Sequence, residues 1–148
     1  MGDRRGYPDD VDAPSYVFRV HDERLAIARL AQDAPAPEWA RGRFVHVART
    51  PAELSIVCAQ EHVPAGVTHE RDKVALGIEG TVPMTVVGLL ADLCRALAEA
   101  RVPVFVISTY DTDWLLVDAA RLSAARAALE GAGYPVHADR TSNGAESE

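Results

Sequence analysis

The sequence predicts an α+β protein made of two related lobes, in which helices cover one face of antiparallel sheets. Three observations indicate this fold. From Lys73 onward, apolar runs follow the order β-α-β-β-α-β, which puts both helices on one face and leaves the other face free to pack. Pro103–Asp118 is typical of a β-hairpin. Phe44–Val57 repeats the pattern of that hairpin, which indicates a second lobe of the same type.

The hairpin contains the most distinctive chemistry in the chain. Its two β-rich runs, Val104–Ile107 and Trp114–Val117, flank the polar centre Ser108–Asp113. The turn carries one phenol and two carboxylates, those of Tyr110, Asp111 and Asp113. Because no nucleophile stands beside a general base in this stretch, the turn is predicted to hold a ligand and not to catalyse a reaction.

Two helices in the second half are predicted from apolar residues spaced three and four apart. A strand at Val74–Ile78 precedes Thr81–Thr85, which leads into the first helix. Asp118 is the predicted N-cap of the second helix, and Tyr134–Ala138 can add a last strand. The predicted apolar faces are Val86, Leu90, Leu93, Cys94 and Leu97 in the first helix, and Leu122, Ala125, Leu129 and Ala132 in the second.

The first half is predicted to have shorter crossovers. Gln32–Gly42 contains two prolines and leaves room for one or two helical turns, with Trp39 as their apolar anchor. Thr50–Glu53 is a capping box with Pro at its second position, which predicts one tight turn. Strands are predicted at Tyr16–Val20, Arg24–Ala31, Arg43–Arg49 and Leu54–Cys58, the first two joined by a hairpin or a bend.

The repeat sets the predicted domain organisation. Laid without gaps, Phe44–Val57 matches Val104–Val117 at an offset of 60 residues (104 − 44), so that Thr50 falls on Tyr110. Chance similarity between two hairpins is the alternative. We expect a disordered tail at 1–14, a reduced lobe at 15–71, a complete lobe at 72–138 and a second disordered tail at 139–148.

Composition excludes several classes of protein. A net charge of −7 argues against a nucleic-acid partner, since phosphate binding requires a basic surface. No apolar run approaches the roughly 20 residues of a membrane span, and the N-terminus has no secretory signal, so a cytoplasmic location is predicted. Cys58 and Cys94 are expected to be buried reduced thiols and not a disulfide or a metal pair. The five histidines lack metal-ligand spacing, and no hydrolase, P-loop or dinucleotide motif is present, so neither a metal, a cofactor nor an enzyme is predicted.

Several motifs together resemble the ACT family of small-molecule-binding regulatory domains. They are the hairpin S-T-Y-D-T-D-W-L-L-V, the preceding I-E-G-x-x-P, and the earlier R-T-P-A-E-L-S-I-V-C followed by E-H-V-P. The tandem arrangement is similar to bacterial ACT proteins related to the cytosolic arginine sensor of animals. This resemblance, over roughly residues 16–138, implies ferredoxin-like lobes and binding of an effector, usually an amino acid, between two ACT units.

The resemblance also implies a site. The loop before the first helix, Gly80, Thr81, Val82, Pro83, Met84 and Thr85, would bind a carboxylate, with Pro103 and Val104 alongside it. Asp113, with Asp111 nearby, would bind a cationic group of the ligand. The animal sensor has four such units and this chain about two, which puts arginine itself in doubt. Each assignment has an alternative: Gly80 only ends a strand, Thr81 or Thr85 only caps a helix, and Asp113 only satisfies turn amides.

Two functions are therefore predicted. The first is a regulatory protein that binds a small amino acid or similar metabolite at an ACT–ACT interface, within one chain or in a homodimer. The alternative is an interaction or scaffold protein without an effector, which uses the sheet to dimerise and the turn at Tyr110, Asp111 and Asp113 to bind a protein partner. Trp39 and Trp114 are expected to pack in the core and not to form a binding platform.

Overall fold

The computed structural model describes residues 16–139, which form one seven-stranded sheet with two α-helices. The predicted tails lie outside the described residues, apart from Asp139 at the start of the second. In chain order the elements are β1 (Phe18–Leu30), β2 (His46–Arg49), β3 (Leu54–Ala59), β4 (Thr68–Ile78), α1 (Leu89–Glu99), β5 (Phe105–Ser108), β6 (Asp113–Asp118), α2 (Leu122–Gly131) and β7 (Val136–His137). Single 3₁₀ turns follow β3 and β6.

The sheet is built around two long strands, β1 and β4. Its order is β2-β3-β1-β4-β6-β5, with every neighbour antiparallel, and β7 pairs in parallel with the start of β1. Strand β1 pairs with β4 along both of its halves, and its second half, from Leu25 to Leu30, also pairs with β3 on the other side. The prediction of two strands joined by a hairpin or a bend is wrong: β1 is continuous, and a register shift between His21 and Leu25 takes the place of either.

The second half of the chain confirms the predicted α+β order of strands and helices. Both helices pack on one face of the sheet, where Leu93 and Leu97 of α1 meet Leu129 of α2 over Phe18 and Leu115. All five side chains are fully buried. Removing such a surface from water is the main favourable term in folding, so this cluster holds the helices in place.

Helix α1 begins later than predicted. Thr81–Val87 is irregular, with a turn in which the Val86 N–H donates to the Pro83 carbonyl at 3.1 Å, and the helix starts only at Leu89. This stretch is rich in β-branched residues and contains a proline, all poor helix formers. Gly88 then takes a left-handed conformation, φ 88°, which a glycine adopts at little cost.

Two other local predictions are corrected. Residues 31–45, all described, contain turns but no helix, because Pro35 and Pro37 deprive the segment of the hydrogen bonds a helix needs. Trp39 nevertheless packs on the first-half core as predicted, against a cluster that includes Ile56. Asp118 stands before a 3₁₀ turn, and its carboxylate pairs with the Lys73 ammonium instead of capping α2.

The opposite face of the sheet packs on itself. Leu25 and Val57 from the first half join Leu116 from the second in a separate buried cluster. At its margin the Phe44 and Trp114 rings meet edge to face, with centroids 5.0 Å apart and planes at 75°. Trp114 is thus a packing residue, as predicted. The sheet is curled, and this aromatic contact joins its two halves.

The hairpin repeat is present but shifted by one residue. Arg49 pairs with Leu54 next to the turn of the first hairpin, as Ser108 pairs with Asp113 in the second, so equivalent positions differ by 59 (108 − 49 and 113 − 54). The predicted offset of 60 is wrong, since a slip of one residue moves every side chain to the other face. With 59, Ile56 corresponds to Leu115, and each lies in the core of its own half on the helix side of the sheet.

Candidate functional site

A cleft of about 420 Å³ lies between the start of α1 and the β5–β6 turn. One wall is the apolar segment that follows β4, namely Val82, Pro83, Met84, Val86 and Val87. The floor is the first turn of α1, from Gly88 to Ala91. The other wall comes from the hairpin and is polar: Ser108, Thr109, Tyr110, Thr112 and Asp113. Its volume falls within the range of about 300–1,000 Å³ that is usual for small-molecule pockets.

Hydrogen bonds hold the two walls together. The Val82 N–H donates to the Asp111 carbonyl at 2.7 Å, and the Thr112 hydroxyl donates to the Ile78 carbonyl at 3.0 Å. The turn itself is closed by the Thr109 N–H, which donates to the Thr112 carbonyl at 2.9 Å. The cleft is therefore set by the fold before any ligand arrives.

The floor of the cleft presents backbone N–H groups at the start of α1. The first N–H groups of a helix have no partner within the helix, and they carry the positive end of its dipole. At the start of α1 these groups belong to Leu89, Leu90 and Ala91, and the preceding Gly88 has no side chain that could cap them. Such a helix end suits a carboxylate or another small anion.

Asp113 brings a carboxylate to the opposite wall. It is half-buried at the first position of β6, and its Oδ1 accepts the Ser108 hydroxyl at 2.6 Å. This bond fixes the carboxylate on the cleft side of the hairpin. Helix N–H groups and a carboxylate in one cleft are the groups that a molecule carrying both charges requires.

The structure brings together about half of the predicted site residues. Val82, Pro83, Met84, Tyr110 and Asp113 line the cleft. Asp111 contributes its backbone carbonyl to the wall, while its side chain is exposed. The lining does not include Gly80, Thr81 and Thr85, which lie on the same segment, or Pro103 and Val104, which precede β5 at the end away from the turn.

Other lining residues escaped prediction. The apolar spacing predicts a helix that starts before residues 86–91, so it places these lining residues inside the helix. It places Ser108 in the turn and not in the site. The usable signal was Gly88, a glycine directly before the Leu-Leu pair, since glycine is tolerated at a helix start and disfavoured inside a helix.

The mouth of the cleft exposes apolar side chains. Met84, Val87 and Tyr110 are 77%, 69% and 84% exposed. Clusters of large exposed apolar residues mark binding surfaces more often than random surface positions do. This rim is suited to closure over a ligand or to contact with another protein surface.

Groups with raised pKa lie away from the cleft. Burial raises the pKa of the Cys58 thiol, and burial together with a hydrogen bond to Asp92 raises that of Tyr134. The hydrogen bond to Asp22 raises the pKa of Arg43. Residues 16–139 contain no group of three or more His, Cys, Asp or Glu side chains arranged to hold a metal ion. None of the helices in that range is long and apolar enough to cross a membrane.

A second, smaller cleft of about 180 Å³ lies where the two halves of the sheet meet, beside Trp114 and Asp139. His21 Nε2 and Glu23 Oε1, 3.5 Å apart near this cleft, are buried without a hydrogen-bond partner among the described residues. Asp139 Oδ2 lies 3.9 Å from His21 Nδ1 and 3.4 Å from Arg43 Nη1. This charged cluster ties β1 to the segments before β2 and after β7.

Fold and cleft together define a small α+β domain with a cleft at a helix N-terminus. Comparison with known families agrees: residues 68–131 match the ACT domain family. Residues 23–66 match a separate family described as an N-terminal domain. No curated protein matches the chain.

Solved structures share the whole architecture. A protein from Agobacterium tumefaciens is 29% identical over 86% of this chain and 96% of its own, with a TM-score of 0.80. A Vibrio cholerae protein of unknown function, described as a possible transport protein, is 20% identical over 80% and 91%, with a TM-score of 0.64. The ligand-free regulatory subunit of aspartate kinase from Thermus thermophilus is 16% identical over 78% and 95%, with a TM-score of 0.53. At 20% and 16% identity the last two establish a shared fold.

Proposed function

We propose that this chain is a regulatory ACT protein that binds a small amino acid or a related metabolite in the 420 Å³ cleft. The observation that carries the proposal is that the first residues of α1, Leu89–Ala91, and Asp113 line the same cleft. The ligand's carboxylate would bind the helix N–H groups, and its ammonium would bind Asp113. The apolar wall at Val82 and Leu90 would contact the ligand's side chain.

The proposed regulation acts through a second ACT unit. In support, the two family matches meet between residues 66 and 68, close to the boundary expected between a reduced first lobe and the second lobe. The exposed rim at Met84, Val87 and Tyr110 would be covered by a second chain in a homodimer. Pro103 and Val104 could then reach a site across that interface. A ligand bound better in one assembly would shift the population toward it.

A thermal-shift screen of the twenty amino acids at millimolar concentration tests the proposal, followed by calorimetric titration of any that stabilise. Asp113→Asn should weaken binding by tenfold or more, because it removes the charge that faces the ligand's ammonium. Asp111→Asn is the matched control, since that side chain is exposed on the same turn and lies outside the cleft; it should bind like the unaltered protein.

Two outcomes would contradict the proposal. One is a screen in which no amino acid raises the melting temperature, because a ligand at a hundred times its Kd adds about 2.7 kcal/mol of stability. The other is equal binding by the Asp113→Asn and Asp111→Asn proteins.

The second candidate, an interaction protein without an effector, is favoured by Tyr110, an aromatic side chain 84% exposed at the tip of the turn. Aromatic residues at such positions are typical anchors of protein interfaces. Pull-down of a partner that is lost with Tyr110→Ala, with no ligand response in either protein, would support this function over the first.

A further inference from the structure

The apolar side of the 420 Å³ cleft is fixed by the protein core. Val82 and Val86, on the segment after β4, and Leu90, in the first turn of α1, line the cleft and are each half-buried. All three also pack against the core cluster that contains Leu93 and Phe18. Because this packing restrains their side chains before a ligand arrives, they present a preformed apolar surface to whatever enters the cleft.

The polar wall of the cleft uses its hydroxyl donors within the protein. The Ser108 hydroxyl donates to Asp113 Oδ1 at 2.6 Å. The Thr109 hydroxyl donates to the Thr112 carbonyl at 3.1 Å, and the Thr112 hydroxyl donates to the last carbonyl of β4 at 3.0 Å. Since a hydroxyl has one hydrogen, these three groups can accept hydrogen bonds from a ligand but cannot donate one. The fourth hydroxyl belongs to Tyr110, which is 84% exposed at the rim.

Asp113 supplies the fixed charge of the cleft. Among the described residues that line it, Asp113 is the one with a charged side chain. The Asp111 side chain is exposed on the same turn and lies outside the lining. One carboxylate neutralises one cation, and the proposed function assigns that cation to the ligand's ammonium. A second ammonium or a guanidinium on the ligand would lose hydration without gaining a counter-charge from the lining.

We propose that the cleft selects an amino acid whose side chain is uncharged and aliphatic, and that Leu90, Val82 and Val86 determine this specificity. The proposal rests on the proposed function, because it takes the ligand's ammonium to bind Asp113. A basic side chain is disfavoured because the lining offers no second carboxylate, and an acidic one because the hydroxyls of the polar wall have no free hydrogen to donate. An aliphatic side chain gains by leaving water for the preformed apolar surface.

A homologous series of ligands measures the apolar contribution. Alanine, 2-aminobutyrate, norvaline and norleucine share their α-amino and α-carboxylate groups, and each is longer than the one before by one methylene. Calorimetric titration of the unaltered protein should show an affinity that rises about threefold with each methylene, close to the factor expected when a methylene leaves water for an apolar surface. An affinity that stays constant along the series would overturn the proposal.

Charged counterparts of the same carbon chain measure the exclusion. Glutamate has the side-chain carbons of norvaline and ends in a carboxylate, and lysine has those of norleucine with a terminal ammonium added. Each should bind about tenfold or more weakly than its neutral counterpart, because its charge finds no partner in the lining. Tighter binding of glutamate or lysine that is lost in Asp113→Asn would overturn this proposal and leave the proposed function standing. If no amino acid binds the unaltered protein, the proposed function fails, and this proposal fails with it.

A carboxylate at position 90 tests the residue assigned to specificity. Leu90→Asp places a negative charge in the apolar part of the cleft, at a helix start where an acidic residue is well tolerated. Lysine should then bind more tightly than norleucine. Thr85→Asp is the matched control and should still prefer norleucine, since Thr85 is exposed on the segment before α1 and lies outside the lining. An unchanged order of the two ligands in Leu90→Asp would overturn the assignment, and Val86→Asp is the second variant if Leu90→Asp does not fold.

Discussion

At the scale of single residues, the contact between Gly77 and Trp114 shows how closely the strands of this sheet are matched. Gly77 pairs with Trp114 across β4 and β6, and the indole lies over the glycine. A Cβ at position 77 would stand 2.5 Å from Trp114 Cζ3. Glycine is required here by the ring that covers it, and the ring in turn packs on Phe44 from the first half.

Gly77→Ala should therefore destabilise the protein by about 1–3 kcal/mol, the usual cost of overpacking a tight site. Urea unfolding followed by tryptophan fluorescence measures the change. Gly66→Ala is the control, because a Cβ there meets nothing within 4 Å, and its effect should stay within about 0.5 kcal/mol. Equal stability of the two variants would show that the ring moves aside without cost.

At the scale of elements, the two helices are joined by a hydrogen bond as well as by apolar packing. The Tyr134 hydroxyl, just after α2, donates to Asp92 Oδ2 in the first turn of α1 at 2.6 Å. Its ring meets Phe18 edge to face, with centroids 6.1 Å apart. Burial and the Asp92 carboxylate together raise the pKa of Tyr134 above its ordinary value of 10.0, because both disfavour the phenolate.

This raised pKa has a definite consequence for stability. Below about pH 10 the phenol is protonated in both states and the bond to Asp92 is intact; as the pH rises further, the unfolded chain loses this proton before the native protein does. Stability from Tyr134 is thus complete below pH 10 and is lost at higher pH. Tyr134→Phe should cost about 1 kcal/mol at neutral pH, and the difference should shrink above pH 10.

Urea unfolding of both proteins between pH 7 and pH 11.5, with the difference in free energy plotted against pH, checks this expectation. Groups that titrate alike in both proteins cancel in the difference. A difference that stays constant across the alkaline range would show that the hydroxyl has no favoured protonation state in the fold.

The helices and the hairpin also show which features of the fold can be predicted from the sequence. Spacing of apolar residues predicted the face of α1 correctly, since Leu93 and Leu97 are buried, yet it extended the helix back to Thr85. Periodicity does not reveal where a helix starts when the preceding residues are apolar too. The start is set by Gly88, whose left-handed conformation aims the first turn at the cleft. The acidic side of the site was predicted better, because the hairpin alone positions Asp113.

At the scale of the whole molecule, the feature least predictable from the sequence is that the long strands β1 and β4 pair with strands from both halves of the chain. Residue patterns suggested two lobes divided near residue 71, but β4 runs from Thr68 to Ile78 through that point, and β1 pairs with β3, β4 and β7. Long-range strand pairing cannot be predicted from the local pattern of residues, because a strand has the same alternation of apolar and polar residues whichever strand it pairs with. Strand β1 continues to pair with β4 on both sides of the register shift between His21 and Leu25.

Because β1 and β4 belong to both halves, we expect the protein to unfold in one cooperative step. The sequence has two tryptophans, and they report on different places: Trp39 on the first-half core and Trp114 on the contact between the halves. Single-tryptophan variants, Trp39→Phe and Trp114→Phe, should each show a fluorescence midpoint in urea that coincides with that variant's own far-ultraviolet circular dichroism midpoint.

The alternative is separate unfolding of the first half, which has no α-helix within residues 16–67 and consists mainly of β1, β2 and β3. In that case Trp39 fluorescence would change at lower urea than circular dichroism, while Trp114 would follow circular dichroism. Coincident midpoints would show that the curled sheet is one thermodynamic unit. A ligand bound at the start of α1 would then stabilise the first half as much as the second, because both unfold together.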